Sequence, residues 1–153
     1  MPNREQTILT NMCMIYDNNG QILVQERKKT SWPGITFPGG HVEKDESFVE
    51  STIREIKEET GLTISSLQLC GITQWTNLYG SRYIVFLYKT NKFSGTLQDS
   101  NEGHVFWIKK KDLFNYPLAD DLKEMFSVMD SDTLSEFYSL RDKNEKEVYK
   151  KLL

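Results

Sequence analysis

The sequence predicts an α+β fold in which a mixed β-sheet carries a few helices. Three observations carry that prediction. Segments rich in β-branched and aromatic residues recur along the chain, separated by turn chemistry. One stretch, residues 47–60, has the periodicity and both end signals of an amphipathic helix. No internal repeat, low-complexity tract or linker interrupts the chain, and its 153 residues suit one domain, 1–153, with a buried core.

Residues 7–16 are rich in β-formers, Asp17-Asn-Asn-Gly20 is turn chemistry, and apolar character resumes over residues 22–25. The two runs therefore read as a hairpin. Residues 28–34, with Ser31, Pro33 and Gly34, read as a loop, and Phe37-Pro-Gly-Gly40 as a sharply turned segment. In the helix that follows, Ser47 and Glu50 have the spacing of a capping box, and Gly61 suits the position just past the C-terminus. Val49, Thr52, Ile53 and Ile56 are its expected buried stripe. Residues 64–75 and 82–90 then read as strands, residues 94–103 as a polar loop and residues 104–109 as a shorter strand. A short helix is expected over residues 111–114 and a longer one over 120–129. In the tail, Leu134, Phe137, Tyr138 and Leu140 suit a helix, but Asp142-Lys-Asn-Glu145 resembles a turn between two strands. The hairpin is the preferred reading.

The acidic residues of the helix are not scattered. Glu55, Glu58 and Glu59 stand at i, i+3 and i+4, which places their carboxylates on one side, away from the apolar stripe. Like charges so spaced repel by roughly 0.2–0.5 kcal/mol per pair. A divalent cation among them removes that penalty, and a hard cation such as Mg²⁺ takes oxygen ligands while keeping waters and substrate phosphates in its shell. The segment reads as a metal–phosphate site.

From Gly40 to Leu62 the chain obeys the pattern Gly-x5-Glu-x7-Arg-Glu-U-x-Glu-Glu-x-Gly-U, with U a large aliphatic residue filled by Ile56 and Leu62. At average residue frequencies a chance match in a chain this long is on the order of 10⁻⁷. The segment resembles the signature of the Nudix hydrolases, with no departure inside its 23 residues. That resemblance implies an α/β/α sandwich with a mixed sheet and a loop–helix–loop unit. It also implies hydrolysis of a nucleoside diphosphate linked to another group, with Mg²⁺ as cofactor and Mn²⁺ as a substitute. By position, Glu55, Glu58 and Glu59 match the metal-binding carboxylates, and Gly39 a residue whose carbonyl joins the shell. Glu46 and Arg54 match the pair that fixes the loop against the helix; the plain alternative is a surface salt bridge worth little. Glu58 is the expected base within the helix. Glu102 aligns with a loop glutamate that in MutT-like members reaches the metal or the water; an exposed loop acid is the alternative.

Three features resemble the MutT-like branch acting on oxidised purine triphosphates. Phe37 stands just before Pro-Gly-Gly, where that branch places an aromatic near the base. Arg27 matches an arginine that contacts the nucleotide, and Asp120 stands where some members read the purine edge, though it also suits a helix N-cap. Asn11, a polar residue in an apolar strand, is a further candidate for the base pocket and needs a partner if buried. The substrate expected is therefore a purine nucleoside triphosphate such as 8-oxo-dGTP. Two alternatives stand beside it. A dinucleoside polyphosphate hydrolase is suggested by Tyr79, and a non-catalytic ligand-sensing module is disfavoured because such proteins lose box carboxylates. Action on ADP-ribose is disfavoured because Thr76-Asn77 stands where those members carry proline.

Composition agrees with a small-molecule enzyme. A net charge of −3 argues against a general nucleic-acid binder, while a bound metal reverses the local sign for a nucleotide. Cys13 and Cys70 lie in apolar stretches without a paired motif, as expected of reduced thiols. No run approaches the ~20 apolar residues of a membrane span, and the N-terminus lacks an apolar signal region. A cytoplasmic monomer or homodimer is expected.

Overall fold

The computed structural model describes residues 2–29, 31–77 and 80–153, except for the side chain of residue 77. Tyr79 lies outside the described residues. Strands β1 (Gln6–Ile15), β2 (Gln21–Arg27) and β3 (Gly34–Thr36) precede helix α1 (Phe48–Thr60). Then come β4 (Leu62–Ser65), β5 (Gln68–Asn77), β6 (Ser81–Thr90), β7 (Lys92–Gly95) and β8 (Gly103–Lys109). A 3₁₀ turn (Lys110–Asn115), helix α2 (Leu122–Asp130) and strands β9 (Glu136–Arg141) and β10 (Glu147–Leu152) complete the chain.

The principal sheet has the order β1-β6-β5-β9-β10, with β1–β6 and β5–β9 parallel and the other pairs antiparallel. A second sheet, β3-β2-β8, is antiparallel, and β4 pairs with β7. The mixed sheet is as expected, and side-chain alternation explains the layers. On β1, Met12 and Met14 join one core with Leu122, Met125, Val128 and Met129 of α2. Cys13 and Ile15 join the other with Ile56 of α1. On β2, Ile22 and Val24 face the first core and Leu23 the second. Strands apolar on both faces separate two helices, the α/β/α arrangement.

Several boundaries differ from the expectation. The turn after β1 forms, with Asp17 Oδ1 accepting from the Asn19 and Gln21 N–H groups at 2.8 and 2.9 Å. The hairpin does not continue: one bridge, Tyr16 to Ile22, joins the strands before β2 leaves to pair with β3 and β8. A turn reverses the chain, but filling two cores decides which strands pair. The single strand expected over residues 64–75 is two, broken at Ser66, whose φ is 53°. Part of the expected 94–103 loop pairs instead, as the end of β7 against β4. Val49 is exposed at 41%, not buried, because in the first turn of α1 it is Phe48 that meets the sheet, stacking on Phe86 at 4.1 Å. Asp120 is not the cap of α2; the helix begins after Asp121, whose side chain makes no capping bond.

Other signals hold. Ser47 Oγ accepts from the Glu50 N–H at 3.0 Å, and Gly61 ends α1 at φ 79°, its N–H donating to the Lys57 carbonyl at 3.0 Å. The tail is a hairpin, with β9 and β10 antiparallel. Cys13 is buried, Cys70 half-buried, and both are free thiols. Among the described residues no helix is long and apolar enough to cross a membrane.

Candidate active site

The segment carrying Pro38, Gly39 and Gly40 runs along the free edge of β1. Asn11 N–H donates to the Gly40 carbonyl at 2.9 Å, Cys13 N–H to Pro38 at 3.0 Å, and Val42 N–H to Leu9 at 3.0 Å. The edge is thereby covered and the segment takes its position from the sheet. Asn11 completes the attachment. Its amide donates to Ser51 Oγ on α1 at 2.9 Å, and its carbonyl accepts from the Gly40 N–H at 3.1 Å. The partner that a buried Asn11 requires is thus the loop and the helix, although the residue also lines the cleft described next.

That cleft has a volume of about 510 Å³. Glu55, Glu59 and Glu102 line it, together with Gly39, Arg27, Phe37 and Asp120, so the tertiary structure brings most of the expected site residues together. Glu59 is the innermost acid, only 6% exposed. Its Oε2 accepts from the Gly39 N–H at 3.1 Å and from the Gln25 amide at 3.3 Å. Burial pushes its carboxyl up to about 7, helped by the neighbouring Glu55 and Glu102 charges and opposed by the Gly39 N–H. Burial also raises Glu55, against the hydrogen bond from Arg54. A Cβ on Gly40 would stand 2.2 Å from the Glu55 carboxyl carbon, so a larger residue there would displace that side chain.

Arg54 organises the rim. It donates from Nε and Nη2 to Glu46 and from Nη1 to Glu55 Oε1 at 3.1 Å. The Arg54 guanidinium holds the Glu46 carboxyl well below the usual range. Glu58 is placed differently from Glu55 and Glu59. Its side chain is 59% exposed, pairs with Arg54 Nη1 at 3.3 Å, and lies outside the cleft lining. Glu102 faces the cleft and bonds Lys29 Nζ at 2.9 Å.

The opposite walls are aromatic and cationic. Arg27 lies over the Trp32 ring at 5.0 Å, and Trp32 Nε1 donates to the Asp120 carbonyl at 3.0 Å. Phe37 is 2% exposed and packs on Phe126 at 6.4 Å, serving as cleft floor and core at once. Asp120 is delivered by residues 117–119, which run beside β3: Ile35 N–H donates to Pro117 and Ala119 N–H to Ile35, both at 2.9 Å.

Residues 8–129 match the NUDIX domain. The chain belongs to the Nudix family. Nudix hydrolases act on pyrophosphate bonds of nucleotide-like diphosphates and generally use a divalent metal. This one is 30% identical over 112 residues to the uncharacterized Nudix hydrolase YvcI of Bacillus subtilis (strain 168), covering 70% of this chain and 69% of the relative. It is 30% identical over 107 residues to the CTP pyrophosphohydrolase of Escherichia coli (strain K12), covering 69% of this chain and 78% of the relative. The crystal structure of a mutator MutT protein from Bacillus halodurans superposes with a TM-score of 0.79 at 27% identity, over 95% of this chain and 97% of that one. The MutT-like Nudix fold is therefore shown.

The donor chemistry fits a hard divalent cation: the Nudix helix and its preceding loop offer carboxylate oxygens and a backbone carbonyl, and Glu59 is buried without a cationic partner among the described residues. Among the described residues no three acids, histidines or cysteines converge as a closed ligand set, and Glu58 pairs with Arg54.

Several lining residues stand outside the sequence motif. Gln25 sits in an apolar strand, which was the available signal for it. Trp75 and Tyr83 come from the successive strands β5 and β6, Arg141 from β9 far along the chain, and none carries a local motif.

Proposed function

We propose that this Nudix hydrolase cleaves a purine nucleoside triphosphate, oxidised at the base as in 8-oxo-dGTP, to the monophosphate and pyrophosphate. One observation carries the reading: a single cleft has buried carboxylates on one wall and indole–guanidinium pairs with Asp120 on the others. Phosphates suit the first and a planar base the second. The 8-oxo-dGDP phosphatase NUDT18 of Danio rerio, 26% identical over 136 residues covering 82% of this chain and 39% of the relative, supports a base of this type.

Glu55, Glu59 and the Gly39 carbonyl would hold Mg²⁺, or Mn²⁺ in its place, with Glu102 and a Glu58 released from Arg54 as the remaining oxygen donors. Bound there, the cation supplies positive charge against the phosphate oxygens as negative charge develops in the transition state. The chain's own residues do the rest. Lys29 and Arg27 attract and orient the anionic substrate, and Trp32 and Phe37 enclose the base and exclude water. Water oxygen attacks phosphorus, the bridging P–O bond breaks towards pyrophosphate, and the water's proton passes to a carboxylate. Of the two candidates for that role, Glu102 already faces the cleft, whereas Glu58 must first leave Arg54.

The test is a steady-state screen with Mg²⁺ over 8-oxo-dGTP, dGTP, other nucleoside triphosphates including CTP, diadenosine polyphosphates and ADP-ribose, resolving pyrophosphate from phosphate. A kcat/KM highest for 8-oxo-dGTP, with pyrophosphate released, is the expected result. Preference for CTP or a dinucleotide keeps the hydrolase and overturns the substrate.

A further inference from the structure

Among the described residues, the buried side-chain nitrogens lacking a hydrogen-bond partner are the Nε atoms of Arg27 and Arg141. Both residues line the same cleft. A buried unpaired donor is unfavourable, and in a native site it marks a place completed by something else. Each guanidinium is also held against an indole: Arg27 over Trp32 at 5.0 Å, and Arg141 over Trp75 at 4.8 Å. Arg27 is already accounted for by the nucleotide reading. Arg141 is not, and it stands on β9, beyond the segment 8–129 that matches the family.

Arg141 ends a ladder built across the sheet. Strands β6, β5 and β9 are consecutive, and Tyr83 stacks on Trp75 at 4.3 Å with an interplanar angle of 8°. Trp75 in turn meets Arg141, whose Nη2 donates to Asp121 Oδ2 at 2.8 Å. At the other end Tyr83 Oη lies 3.3 Å from His41 Nε2, in the loop that precedes α1. The ladder thus spans the cleft wall from the Nudix loop to the Asp120–Asp121 pair.

Asp121 is held in the left-handed region, φ 69°, and does not cap its helix, so its carboxylate is directed by Arg141 instead. Burial and the nearby Glu147 raise the Asp121 carboxyl, while Arg141 opposes this. The Arg141 contact leaves the Asp120 and Asp121 carboxyl groups side by side in the cleft lining. Two such acceptors suit a base edge with adjacent N–H donors, the lactam–amine edge of a guanine-type base. They disfavour an edge that alternates donor and lone pair, as cytosine does.

We propose that Arg141 is a positioning residue for base specificity: from β9, with its guanidinium on the Trp75 face, it holds the Asp121 carboxyl and so sets the cleft's preference for a guanine-type base. The proposal deepens the nucleotide reading above and rests on it.

The experiment uses the full chain with Mg²⁺ and separates base recognition from turnover. Calorimetric titration with GMP, AMP, CMP and inorganic pyrophosphate compares the wild type with R141Q, R141K and D121N. The wild type is expected to prefer GMP over CMP, and R141Q to lose that preference by roughly ten-fold, since one charge-assisted hydrogen bond is removed. R141K keeps the charge without the planar stack and recovers part of it. D121N breaks the ion pair with the Arg141–Trp75 contact in place, so it reports on the same linkage if R141Q does not fold. In turnover, the change is expected in KM for the purine substrate against the pyrimidine one, whereas a merely structural defect lowers kcat for all substrates alike. The proposal is overturned if the wild type does not discriminate among the monophosphates, or if folded R141Q or D121N retains the full preference. A wild type that turns over no triphosphate yet prefers GMP through Arg141 refutes the triphosphatase reading and leaves this one standing.

Discussion

Arg54 grips both carboxylate oxygens of Glu46, Nε to Oε2 at 2.7 Å and Nη2 to Oε1 at 3.0 Å. The same Nη2 donates to the His41 carbonyl at 3.0 Å, and Glu46 Oε1 also accepts from the Glu43 N–H at 3.1 Å. One guanidinium therefore ties the loop ahead of α1 to the helix that carries the acids. A partly exposed ion pair contributes little to stability, but a small displacement of catalytic groups lowers rate steeply. E46Q and R54K are each expected to lower kcat/KM by roughly 10–100-fold while shifting Tm by only a few degrees. Kinetics and thermal melting on the same preparations check this; a large Tm loss with near-normal kcat/KM would make the pair structural.

Gly40→Ala places a methyl group 2.2 Å from the Glu55 carboxyl carbon. The Glu55 side chain must then move out of its place in the cleft. The expected outcome is a folded protein with kcat/KM reduced by about 100-fold and weaker Mg²⁺ activation. Circular dichroism together with a Mg²⁺ titration of activity distinguishes this from misfolding.

Glu59 makes metal-free stability pH-dependent. Its carboxyl is raised from 4.5 to about 7, so the native state binds more protons than the unfolded state between those values. The associated stability is fully present below about pH 4.5 and is lost as pH rises through about 7. The loss is of order 3 kcal/mol as an upper bound. In chelator-treated protein, E59Q is expected to flatten the fall in Tm between pH 5 and pH 8; an unchanged slope refutes the assignment.

Magnesium acts in the opposite sense. A cation that binds the folded state alone raises Tm, by an amount set by its concentration relative to Kd. Millimolar Mg²⁺ at pH 8 is expected to raise the wild-type Tm and to leave a combined E55Q/E59Q variant unmoved. Differential scanning fluorimetry reads both, and equal shifts in the two proteins place the cation elsewhere.

Arg27 makes no ion pair among the described residues and lies over Trp32. R27A is expected to raise KM for nucleotide roughly ten-fold or more through loss of a charge-assisted contact. An unchanged KM would remove Arg27 from the substrate site.

The helix was legible in the sequence because its signals are local. Ser47, Glu50 and Gly61 act within a few residues of where they stand, and both ends of α1 match them. The acidic triplet was legible for the same reason, since helical geometry alone puts Glu55, Glu58 and Glu59 on one side. The tail hairpin followed from the Asp142 turn, whose N–H bonds the Lys146 carbonyl at 2.9 Å. The β1–β2 hairpin failed because Asp17 specifies a reversal but not a strand partner, and β1 takes β6, more than seventy residues away, in parallel.

What the sequence determined by itself is the Nudix loop–helix unit, its acidic triplet and the apolar pattern of a mixed sheet, all of which depend on short-range spacing. Only the tertiary structure decided that Glu58 turns to Arg54 while Glu59 is buried beside Gly39 and Gln25. It also decided that Trp75, Tyr83 and Arg141 form one wall. The reason is physical: burial and cross-strand stacking depend on which distant strands the two cores draw together, and no local periodicity encodes that choice.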